Sequence, residues 1–78
     1  MSGPSSINYK VVLNEAFPPP SNTIVYTSRP TGPQHPGGHP HIATVTVNGT
    51  AYEGAEAKSK KEAEKLAAYA ALRALGKL

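Results

Sequence analysis

Cysteine and tryptophan are absent from this 78-residue sequence, and phenylalanine occurs once. Without cysteine there is no disulfide, no thiolate zinc site and no thiol nucleophile, a composition that fits a reducing compartment. With one Phe and four Tyr, the chain has few candidates for a platform on which unpaired bases stack. No apolar run approaches the ~20 residues that span a bilayer, so no membrane partner is expected. The opening Met1-Ser2-Gly3-Pro4-Ser5-Ser6 has neither the charged nor the apolar region of a secretory signal, and an intracellular location in cytoplasm or nucleus is expected. The length leaves room for one small domain, which buries only roughly 60–65% of the surface its unfolded chain exposes.

What is present is a modest positive charge, unevenly placed. The net charge is +3 and the isoelectric point about 9.4, values that many proteins without nucleic-acid partners share. The clustering says more: Lys58, Lys60, Lys61 and Lys65 fall within one short segment, an arrangement that attracts phosphate.

Five elements are expected. An amphipathic helix runs from about Ser6 to Ala16, capped by Ser5 or Ser6, with Val11, Val12 and Ala16 sharing a face with Ile7. Pro18, Pro19 and Pro20 end it, leaving Phe17 to fold back as an anchor. Thr23 to Ser28 reads as a first strand, and Arg29 to Pro40, rich in proline and glycine, as a long loop. Ile42 to Val47 alternates apolar and polar residues, with Val45 and Val47 on one face. Asn48-Gly49 then leads into Ala51-Tyr52-Glu53, a type I′ hairpin signal. Ser59-Lys60-Lys61-Glu62 is a capping box, opening a helix to Leu75 with Gly76 as its C-terminal cap. Ala63, Ala67, Ala71 and Leu75, flanked by Ala68 and Leu72, form a stripe of small residues that lets this helix approach a sheet closely. The order implies an α+β fold, α-β-β-β-α, with two helices on one face of a three-stranded antiparallel sheet. Residues 7–76 form the domain, with short tails at 1–6 and 77–78.

These residues also fall in the order of a known family. Leu13-Asn14-Glu15, Tyr26, Gly32-Pro33-Gln34-His35, Val45-Thr46-Val47-Asn48-Gly49, Tyr52-Glu53-Gly54 and the run from Lys58 to Ala68, with Ala71-Leu72-Arg73-Ala74-Leu75, together resemble the double-stranded-RNA-binding domain family. The resemblance covers about Ile7 to Leu75 and implies a non-catalytic module of an RNA-processing or RNA-silencing protein. Such modules read A-form RNA by shape over about 16 bp, through two minor grooves and the phosphates between them. By that resemblance Asn14 and Glu15 face the first minor groove, and Gly32, Pro33, Gln34 and His35 enter the second. Lys60 and Lys61 meet phosphates, helped by the helix N-terminus, with Lys58 and Lys65 nearby.

The sequence departs from the family in three places. The usual Lys-Lys-x-Ala-Lys is here Lys60-Lys61-Glu62-Ala63-Glu64, so an acid replaces the third phosphate-binding lysine and weaker, less salt-dependent binding is expected. Lys65 lies about 100° further round the helix and does not replace it in place. The prolines shorten the first helix, and the loop after His35 is about two residues longer than usual. His41 stands where the family often has a buried aromatic, a gap for Tyr26, Phe17 or Ile42 to fill.

Other readings carry less. A solvated helix start would also hold lysines, yet two lysines in a first turn oppose the helix dipole, which argues for a purpose. His35, His39 and His41 lack the further ligands zinc needs, so no metal or cofactor is expected. No serine, histidine and acid are spaced as a triad, so no catalytic residue is assigned. The competing reading is a protein-binding domain of the same fold, pairing with itself or another such domain. It would use a sheet edge, the exposed sheet face, or a helix surface with Tyr69 outward, and RNA binding would be weakened by Glu64.

Overall fold

The computed structural model describes residues 8–32 and 40–78. Five elements follow one another: α1 (Tyr9–Ala16), β1 (Ile24–Pro30), β2 (His41–Val47), β3 (Thr50–Glu53) and α2 (Lys60–Ala74). The strands form one antiparallel sheet in the order β1-β2-β3. The α-β-β-β-α arrangement is the one expected.

The first helix corrects its sequence reading at its start. It begins at Tyr9, not Ser6, because Asn8 takes the cap: its side-chain oxygen accepts from the backbone N–H of Lys10 and Val11. Ser5, Ser6 and Ile7 lie outside the described residues. The buried face differs too. Leu13 is wholly buried, whereas Val11, expected on the core side, is 49% exposed. The end is as expected: the helix stops at Ala16, and Phe17 packs against the core. Asn22 donates to the Pro18 carbonyl and so closes the turn after the prolines.

β1 continues two residues beyond its expected end, taking Arg29 and Pro30 from the loop. Pro30 is tolerated because β1 is an edge strand, where a missing N–H breaks no ladder. Asn48 (φ 51°) and Gly49 (φ 88°) adopt the left-handed backbone of the type I′ turn. Asn48 is also a latch: its side-chain oxygen accepts from Thr23 N–H at 2.9 Å, and its amide donates to Asn22 at 2.9 Å.

Strand alternation divides the sheet. Ala43, Val45 and Val47 point to the helices and are buried, with Ile24, Tyr26 and Tyr52 packed at their margin. α2 meets them with Ala63, Ala67, Ala68, Ala71 and Leu72, all buried. Serine 59 accepts from Glu62 N–H as the capping box requires, but the Glu62 carboxylate lies 3.6 Å from the Lys65 ammonium. The C-terminus closes as a Schellman motif: Gly76 (φ 75°) donates to Arg73 and Lys77 donates to Leu72. His41 is half-buried at the start of β2, and its Nδ1 is buried with no hydrogen-bond partner among the described residues. Phe17 and Tyr26 pack at the core margin, while Ile42 belongs to the opposite face of the strand.

Candidate nucleic-acid interface

Two clamps fix the approach to α2. His41 and Ala57 exchange both backbone hydrogen bonds, at 2.8 and 2.9 Å, which ties the segment before α2 to the start of β2. Ser59 then turns the chain into the helix, and Lys58, Lys60 and Lys61 stand exposed around that start. Backbone N–H groups and the positive helix end lie beneath them. α1 is held against α2 by the Tyr9–Tyr69 edge-to-face contact, with ring centres 4.9 Å apart, and Arg73 lies over the same Tyr69 ring. Tyr69 is therefore half-buried between helices, not turned freely outward.

On the other side of α1 a groove opens between the two helices above β1. Asn14, Lys61 and Lys65, three of the residues singled out in the sequence, line it together with Lys10. Glu15 is exposed on α1 beside Asn14, and Lys58 and Lys60 are exposed around the start of α2, but none of the three lines the groove. Lys65 is 23% exposed and lies within ion-pair distance of Glu62. Gly32 is half-buried at the end of β1; Pro33, Gln34 and His35 lie outside the described residues.

Glu64 is the largest surprise. Its carboxylate does not stand among the lysines of the helix start as an unpaired anion. It accepts from Lys10 Nζ at 2.6 Å and is only 15% exposed. Lys10 Nζ in turn lies 4.8 Å from the centre of the Tyr26 ring, a cation–π contact. The Tyr26 hydroxyl is buried without a partner among the described residues. Burial, and secondarily the Glu64 charge, push its pKa up to about 12. Sequence reasoning missed Lys10; the available signal was that α1 holds one cation and α2 one misplaced acid, of opposite sign.

Among the described residues no cluster of three metal-ligating side chains occurs, and no helix is long and apolar enough to cross a membrane.

No curated protein matches the chain. Solved structures do, among them two double-stranded-RNA-binding domains. The second double-stranded-RNA-binding domain of DRB4 is 31% identical with a TM-score of 0.66, over 90% of this chain and 97% of that one. The second such domain of HYL1 is 26% identical with a TM-score of 0.60, over 87% and 97%. Residues 9–75, from the first turn of α1 to the cap of α2, match the family described as "Double-stranded RNA binding motif", and the chain belongs to the double-stranded-RNA-binding domain family.

Proposed function

We propose that this chain binds double-stranded RNA by shape and backbone, as a non-catalytic module of an RNA-processing or RNA-silencing protein. The observation that carries this reading is the grouping of Lys61, Lys65 and Asn14 on one groove, beside exposed Lys58 and Lys60, in a fold of this family. Cations at a helix N-terminus suit phosphate, and an amide on the neighbouring helix suits 2′-hydroxyls and base edges of a minor groove. Glu64 was the main sequence argument for a module that has given up RNA; its pairing with Lys10 neutralises that charge and weakens the argument.

The test is a titration with a ~20 bp RNA duplex and the matching DNA duplex at two salt concentrations. Salt-sensitive binding to RNA and not DNA is expected. The double variant K60E/K61E should abolish it while leaving the amide fingerprint of the fold unchanged. No binding at low salt would refute the reading, and unchanged affinity in K60E/K61E would move the phosphate site elsewhere.

A further inference from the structure

Lys10 and Glu64 are 54 residues apart in sequence, and each is anomalous on its own element. Lys10 is the one cation of α1. Glu64 lies one turn beyond Lys60, on a helix that opens Lys60-Lys61-Glu62 and carries Lys65 next to Glu64. Together they form an ion pair with unequal exposure: the lysine side chain is 35% exposed and the glutamate 15%. The lysine is thus the more exposed partner, and its side chain lines the same groove as Lys61, Lys65 and Asn14. An ammonium has three N–H donors, and one of those on Lys10 is engaged within the described residues. The Tyr26 ring beneath restricts where the others point.

We propose that Lys10 is a third phosphate-binding cation of the RNA interface, delivered from α1 and held in position by Glu64. The inference rests on the RNA-binding reading above. It makes Glu64 a positioning residue: the acid that looked like a lost contact is what fixes a lysine from the other helix where a backbone phosphate can accept from it. A second consequence is geometric. The same contact ties α1 to α2, so the groups aimed at the minor groove and at the phosphates keep one relative placement.

Simple electrostatics and positioning make opposite forecasts for the double variant K10Q/E64Q, which leaves the net charge of +3 unchanged. If the pair is only structural, the RNA titration of this variant should match the unsubstituted chain in affinity and salt slope. Positioning forecasts a roughly five- to tenfold loss of affinity at ~100 mM salt, with the slope of log K against log salt shallower by about one. K10R, which keeps a cation at the position, should retain the slope. Amide spectra and thermal unfolding report whether K10Q/E64Q folds. If it does not, the Lys10 Cε–Hε resonance of the unsubstituted chain is followed during RNA addition. A shift of that resonance supports the proposal, and a resonance unmoved at saturation overturns it. A folded K10Q/E64Q with unchanged affinity and slope overturns it as well, while leaving RNA binding intact. Failure of the unsubstituted chain to bind RNA at all removes both readings, and K60E/K61E separates the cases.

Discussion

Tyr26 shows what one side chain can reveal. Its ring packs against the core and supports Lys10, yet its hydroxyl is buried with no hydrogen bond among the described residues. The pKa of about 12 lies above the unfolded value of 10, so the folded state holds this proton more tightly. The resulting stability is complete below pH 10 and is lost as pH rises from 10 through about 12. Tyr26→Phe should remove this loss, so denaturant midpoints of the two proteins should diverge in favour of the variant across that window. Near pH 7 the variant should be as stable as the parent or slightly more, because no hydrogen bond is deleted. A loss above about 1 kcal/mol at pH 7 would mean the hydroxyl has a partner after all. His41 is a comparable case: an imidazole with one buried nitrogen that has no partner among the described residues stands where an apolar ring would cost nothing in desolvation.

At the scale of elements, the contact between α2 and the sheet decides stability. The helix lies low because its inward stripe is alanine, and Gly54, just past β3, has no side chain to hold it off. A Cβ at position 54 would lie 2.4 Å from the backbone nitrogen of Ala67 and 2.6 Å from the carbonyl carbon of Leu66. Backbone cannot rotate away as a side-chain tip can, so Gly54→Ala should destabilise by about 1–3 kcal/mol in chemical denaturation. A neutral result would show that the end of β3 yields freely. The elements themselves were legible because their signals are local. The Asn48-Gly49 turn, the Ser59 cap, the Gly76 terminator and the proline stop each act over a few neighbouring residues. The start of α1 differs from its sequence reading because three of four consecutive residues, Ser5, Ser6 and Asn8, are acceptable caps, and one turn of periodicity does not choose among them. The face of α1 was misread for a related reason: Val11, Val12 and Leu13 are adjacent and all apolar.

For the whole molecule, the groups proposed to meet RNA come from α1, from α2 and from residues 32–35 after β1, so the proposed binding calls for a duplex long enough to reach them together. If the chain reads shape as proposed, a duplex of ~10 bp should bind at least about tenfold more weakly than one of ~20 bp, since family members span about 16 bp. Equal affinity for both lengths, measured by titration at one salt concentration, would show that only the lysine cluster is engaged.

The sequence alone determined the element order, the hairpin, the core face of β2, the alanine stripe and the family, because periodicity, turn chemistry and motif order are properties of contiguous residues. It also placed Asn14, Lys61 and Lys65 as residues of interest before their shared groove was visible. Only the tertiary structure decided which charges meet. Lys10 with Glu64, Asn22 with Asn48, and His41 with Ala57 are pairings across the fold. Their partners are chosen by how α1, the strands and α2 pack, and a charge read without its partner has an undetermined role: Glu64, an anion opposing RNA in the sequence, is in the fold the anchor of a lysine.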